Sequence, residues 1–214
     1  MNHRGEMELQ GGYMGKWSWN AVNLNGNERE NLLKTIEQAA HDYEAKYGGC
    51  AQCVLFALQE NLGLQDTGVF KAASAFAGGM ANFGETCGAI SGGLMAVGLA
   101  YGREKFGDIK QIEGWEIGLD IPPVIESLIR GGRFIDRFRE KFGTIRCREI
   151  RHVVRGRPVE EDFRHPTRAT KEETKKDHHL CGKVTGPAAR FAAEIILQPS
   201  ESFQEEIRAY LLGR

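Results

Sequence analysis

The chain has 214 residues, 41 % hydrophobic and 27 % charged, with 28 Lys and Arg against 29 Asp and Glu. That composition suits a globular domain able to bury a core of its own. The formal net charge of −1 offers no basic footprint for nucleic acid, and no block of like charge is long enough to argue for a membrane surface.

The opening residues carry neither an apolar core of the signal-peptide kind nor a twin-arginine pair, so no export signal is read there. The longest apolar stretch, Ala89 to Tyr101, is too short to cross a bilayer, and membrane insertion is not expected. The expectation is a soluble protein of a reducing, cytoplasmic compartment. There, five cysteines are better read as buried side chains, metal ligands or redox thiols than as a disulfide framework.

Residues 1–26 are rich in Gly and Asn, and are read as an N-terminal arm that Trp17 and Trp19 could dock. Residues 27–214 form the domain. Asn25 or Asn27 caps a first helix with Leu32, Leu33, Ile36, Ala39, Ala40 and Tyr43 on its apolar positions, and Gly48-Gly49 stops it. A second helix runs from Cys50 to Leu62 and a third from Val69 to Phe76. After the Gly-rich turn 78–84, residues 85–106 read as a long, almost wholly apolar helix, which belongs at the centre of a fold. That apolarity leaves a helix-mediated homodimer open.

Residues 107–123 look irregular. A helix follows over Val124 to Phe142, with a break allowed at Gly131-Gly132, and Cys147 comes just after it. Residues 155–178 are highly charged and read as a solvated excursion. An apolar helix then covers Lys183 to Leu197, and Ser200 caps a final amphipathic helix ending at Leu212. With no strand-like alternation, the fold class is all-α: a compact helical bundle around a Gly-rich central helix.

The chemistry sits with Cys50, Cys53, Cys87, Cys147 and Cys181. Four of the five fall at or near helix ends in this reading, where exposed N–H groups and the positive end of a helix dipole favour thiolate over thiol. Thiolate is the form that binds metal or attacks a disulfide. The bland alternative is that free cysteines pack as small buried hydrophobes. Cys50-Ala51-Gln52-Cys53 is a C-x-x-C without the second close pair usual in zinc sites. Val54 follows it rather than His, so no haem is attached there.

The segment Phe83-Gly84-Glu85-Thr86-Cys87-Gly88-Ala89-Ile90-Ser91-Gly92 resembles the redox-active protein family named for its C_GCAxxG_C_C cysteine pattern. Gly49-Cys50-Ala51-Gln52 is similar to that family's first cysteine, the segment around Cys147 to its third, and Cys181, leading into Ala188-Ala189, to its fourth. The resemblance covers residues 28–198. It implies that Cys50, Cys87, Cys147 and Cys181 are the working set and that Cys53 is additional. A related domain occurs in split-Soret cytochromes, thought to carry an iron–sulfur centre beside their haems.

Four thiolates match the ligand count of [2Fe–2S] and [4Fe–4S] clusters, so electron transfer through a four-cysteine iron–sulfur site is the leading expectation. Glu85, Thr86 and Arg148 are its supporting groups, and the redox partner protein is unidentified. A thiol–disulfide protein using Cys50 and Cys53, with the Cys50 pKa lowered by the helix start, is the alternative. A non-redox metal-binding module is another, to which His178-His179 would supply imidazole. His41, His152 and His165 receive no role.

Overall fold

The computed structural model describes residues 24–112, 115–118, 121–155 and 170–212. The fold is all-α apart from one small hairpin. Helix α1 spans Gly26–Tyr47, α2 Cys50–Leu62, α3 Thr67–Ala72, α4 Gly88–Tyr101, α5 Ile121–Phe142, α6 Cys147–Arg155, α7 Lys171–Ile196 and α8 Gln204–Leu212. The reading of residues 1–26 as an arm, with Trp17 and Trp19, falls largely outside the described residues.

Local chemistry accounts for most boundaries. The Asn25 carboxamide accepts from the N–H groups of Asn27 and Glu28, both at 3.0 Å, while Glu28 reaches back to the Asn25 N–H at 2.9 Å. That reciprocal box fixes the start of α1. Its buried stripe is Leu33, Ile36, Ala40 and then Glu44, so the last position of an apolar face holds a carboxyl. Gly48, at φ +67°, ends the helix, and Gly63 ends α2 in the left-handed region.

α4 lies against α2, α5 and α7. Gly88 to Gly93, Ala96 and Val97 are all buried. Its apolarity, which left a dimer open on sequence, is accounted for by this central place. α5 runs unbroken through Gly131-Gly132; Gly131 faces Leu94 so closely that a Cβ would stand 2.9 Å from its methyl, so the glycine serves packing rather than a break. α1 and α7 share the most extensive contact. The small residues Ala188, Ala189, Ala192 and Ala193 are buried, and Thr185 Oγ1 donates to the Ala40 carbonyl at 3.1 Å.

Four expectations are corrected. Residues 107–123 are not simply irregular: β1 (Ile109–Ile112) pairs antiparallel with β2 (Trp115–Gly118), a hairpin too short to give a clear alternation. The central helix is shorter than 85–106, because Cys87 is its cap and Gly102 ends it. α7 begins at Lys171, so 171–178 is helical rather than an irregular excursion; its polar side chains hid the periodicity. Ser200 opens a 3-10 turn capped by Pro199 and spends its hydroxyl on Glu126 at 2.8 Å instead of capping α8. The rest of the charged excursion, 156–169, lies outside the described residues.

The α5–α8 end is pinned by Arg130, whose side chain is wholly buried. Its guanidinium donates to Glu126 at 2.6 and 2.9 Å and to the carbonyls of Ile195 and Gln198 at 2.7 and 3.0 Å. It is also stacked between the rings of Tyr101 and Phe203, 3.7 and 3.9 Å from their centroids. Removing one partner of such a buried pair strands the other charge, at a cost of roughly 3–5 kcal/mol. Arg130→Leu is therefore expected to lower the unfolding free energy by an amount of that order, read as a lower urea midpoint, and Arg130→Lys, which keeps charge but loses the planar fork, by less. Equal midpoints for Arg130→Leu and wild type would contradict the reading.

Candidate redox site

Three helix starts converge. Cys50 is the first residue of α2, Cys87 caps α4, and Cys147 is the first residue of α6. The chain links the last two directly: the Cys87 N–H donates to the Ile145 carbonyl at 2.8 Å, and the Cys147 N–H to the Glu85 carbonyl at 2.6 Å. Thr86 and Arg146 form an isolated antiparallel bridge between these bonds. Side chains reinforce it from outside, where Arg146 and Arg148 both reach the Glu85 carboxylate, at 3.1 and 3.6 Å, and Arg148 donates to the Phe83 carbonyl at 2.8 Å. Glu85, Thr86 and Arg148 thus support the cysteines by tying the backbone strap.

The cysteines are linked in pairs. The Cys87 thiol hydrogen-bonds to Cys147, and Cys50 senses the charge of both Cys147 and Cys181. Cys181 comes to this group from inside α7, not from a position ahead of the helix as the sequence suggested. All five cysteines are thiols, with no disulfide between them. Two glycines make the room. A Cβ on Gly88 would drive into Cys50 Sγ, and one on Gly79 would stand 2.6 Å from Cys147 Cβ.

The turn ahead of α4 wraps the same place. Gly78, Gly79, Met80, Ala81 and Asn82 all have positive φ, between +50° and +76°. Three of them are not glycine, a conformation costly enough to need fixing by its surroundings. Backbone bonds from Asn82, Gly84 and Glu85 back to Ala77, Gly78 and Gly79 hold it at 3.0–3.1 Å. From it the Gly78 N–H donates to the Cys50 sulfur, while the Ala89 N–H does so to Cys87.

The expectation that helix starts hold these cysteines as thiolates is corrected. Burial pushes the Cys50 and Cys53 thiols well up, and the neighbouring Glu44 carboxyl adds to both. For Cys87, the hydrogen bond to Cys147 comes first and burial second. The magnitudes agree with this order. A helix terminus gives a charge about 0.3–1 kcal/mol, whereas burial moves a pKa by up to about 3–5 units at about 1.4 kcal/mol each. Cys87, Cys147 and Cys53 are no more than 5 % exposed. Cys50 keeps part of its surface accessible, yet the protein packed around it still outweighs the N–H from Gly78.

Sequence reasoning missed Glu44. It is 3 % exposed, its Oε2 has no hydrogen-bond partner, and burial raises its pKa to about 7, with a hydrogen bond from Cys53 pulling the other way. Its only signal was its spacing of four from Ala40 in the stripe of α1. His178 packs its ring over Gly48, and His179 meets His41 edge-on at 5.3 Å between centroids, so the histidines gather on the α1–α7 side. Among the described residues, no three His, Cys, Asp or Glu side chains already stand as a metal-binding group. Instead, Cys87 hydrogen-bonds to Cys147 and the Cys53 thiol donates to the Gly48 carbonyl at 3.1 Å.

The family described as "Putative redox-active protein (C_GCAxxG_C_C)" matches residues 48–195. The chain belongs to this family. The matched span runs from the C-x-x-C through Cys87 and Cys147 to Cys181 and holds α2 to α6 whole, with most of α7. No curated protein and no solved structure matches the chain. No helix among the described residues is long and apolar enough to cross a membrane.

Two outcomes test this geometry. Gly88→Ala should expose Cys50 to alkylation and lower stability. Gly98→Ala, on the same helix with nothing within 4 Å of the added methyl, should be neutral or stabilising by up to about 1 kcal/mol. The second concerns pH. The folded-state pKa of Glu44 is raised from 4.5 to about 7, so its neutral form stabilises the fold fully at low pH. That contribution, at most about 3 kcal/mol, is lost as pH rises from about 4.5 through 7. Denaturant unfolding across that window should show wild type losing stability relative to Glu44→Gln; parallel curves would contradict it.

Proposed function

We propose that this redox-active protein carries electrons through an iron–sulfur cluster held by Cys50, Cys87, Cys147 and Cys181. The observation that supports the reading is that Cys50, Cys87 and Cys147 start or cap three helices packed closely through Gly79 and Gly88, with Cys181 of α7 near enough for its charge to reach Cys50. The donor set fits such a group: four thiols, with N–H groups from Gly78 and Ala89 already directed at two of the sulfurs. A cluster bound there would supply single-electron transfer.

The residues of the chain do the rest. The N–H groups of Gly78 and Ala89 stabilise negative charge on sulfur and so raise the potential, while burial of Cys87 and Cys147 favours the less charged state. Each thiol must lose its proton before it can bind metal, and burial holds those protons tightly, so loading should strengthen as pH rises. Glu85 with Arg146 and Arg148 lies half-exposed beside the site, a mixed-charge face for a redox partner protein. Five thiols suit a reducing compartment such as the cytoplasm.

Anaerobic purification, reconstitution with iron and sulfide, and visible absorption on the same sample test the reading. Coloured protein with iron and sulfide in matching amounts is expected, lost in Cys87→Ser and kept in Cys53→Ser. Colourless protein without iron after reconstitution would sink it. In that case a titratable Cys50–Cys53 dithiol, or stoichiometric zinc, would identify the alternative.

A further inference from the structure

Ser91 is the one residue of α4 that packing does not explain. From Gly88 to Ala100 every other residue of that helix is apolar or glycine. Ser91 is 7 % exposed, and its Oγ has no hydrogen-bond partner among the described residues. A hydroxyl buried without a partner costs stability. Alanine would fill nearly the same space, favour the helix more and carry no such cost. Serine inside a helix commonly returns its proton to the carbonyl one turn back. Here that carbonyl belongs to Cys87, and it already accepts from the N–H groups of Ile90 and Ser91, at 2.9 and 3.2 Å.

The place of Ser91 on the helix decides what it can serve. Successive residues turn by about 100° around an α-helix. Gly88 and Gly92 mark the side turned to α2, where added Cβ atoms would meet Cys50 Sγ and the Ala51 carbonyl. Gly93 marks another side, where an added Cβ would meet Phe134 and Ala192. Ser91 stands four residues after Cys87 and three after Gly88, so its direction falls between theirs, one turn along. Each Cα–Cβ bond also leans toward the helix N-terminus, which for Ser91 is the end that holds the cysteines. We propose that Ser91 is a positioning residue of the cysteine site, whose hydroxyl donates to the Cys87 sulfur once that thiol has given up its proton. The role rests on the four-cysteine reading of the site. A protonated thiol is a weak acceptor, which leaves the hydroxyl idle, whereas a thiolate accepts strongly. The bond would hold the Cys87 ligand in place and draw charge from its sulfur.

Cobalt(II) titration of the reduced full-length protein, followed by urea unfolding without metal, tests the role. Ser91→Ala should bind cobalt about 10–100-fold more weakly than wild type, the usual cost of losing a group that orients a ligand. Its sulfur-to-cobalt band should lie at longer wavelength, because a sulfur freed from a hydrogen bond gives up electron density more readily. Without metal, the same variant should be as stable as wild type or more so, since the unpartnered hydroxyl has gone. Ser127 on α5 carries another covered hydroxyl without a partner, and Ser127→Ala should bind cobalt as wild type does. Ser91→Ala with wild-type affinity and band position would overturn the proposal and leave the four-cysteine reading standing. So would a metal-free Ser91→Ala protein that is less stable while its band stays put, the signature of a hydroxyl that serves packing alone, or an equal loss of affinity in Ser127→Ala. A wild type with no thiolate band at all would overturn the four-cysteine reading and this role with it.

Discussion

Two backbone hydrogen bonds, from Cys87 to Ile145 and from Cys147 to Glu85, join segments sixty residues apart and put the starts of α4 and α6 side by side. Each cysteine spends its own N–H on the other's strand, so both start from one shared edge, where the Cys87 thiol hydrogen-bonds to Cys147. Everything else at the site is arranged around that edge. α2 brings Cys50 against Gly88, the left-handed turn 78–82 closes over Cys50 and Cys147, and α7 carries Cys181 near enough for its charge to reach Cys50. The rest of the bundle, from the α1–α7 seam to the buried Arg130, keeps those helices where the strap requires them.

The electrostatics of the gathering run against the simplest idea of a reactive-thiol site. Helix starts and directed N–H groups favour thiolate, but burial and the Glu44 carboxyl favour thiol, and the second pair is stronger by several kcal/mol. Burial thus favours the protonated form of Cys50, Cys53 and Cys87, and the Cys87 thiol hydrogen-bonds to Cys147. A cation that replaces those protons changes the balance at once, because positive charge in a low-dielectric site stabilises every thiolate together.

The path from sequence to structure was clear where local chemistry decides. The capping box at Asn25, the glycine stops after α1 and α2, and the apolar run of α4 are all local, and each was legible. So was the family, through the long motif around Cys87. What escaped was non-local or disguised. The N-terminal part of α7 looks solvated because its outward face is Lys and Glu, so Cys181 appeared to precede a helix that in fact contains it. α6 is short and strongly charged. Glu44 reads as an exposed glutamate until the packing of α1 against α2 turns its face inward. Nothing local to residues 85–87 or 145–147 announces that they pair, since an isolated bridge has no periodicity.

The central claim is that four of the five cysteines make one site and that Cys53 stands outside it. Cobalt(II) titration of the reduced protein under anaerobic conditions tests this most directly, since the intensity of the sulfur-to-cobalt charge-transfer band follows the number of thiolates on one ion. Wild type and Cys53→Ser should both give the full four-thiolate band at one equivalent. Serine at Cys50, Cys87, Cys147 or Cys181 should each weaken it by a comparable step. A band untouched by Cys181→Ser, or one that falls with Cys53→Ser, would contradict the account.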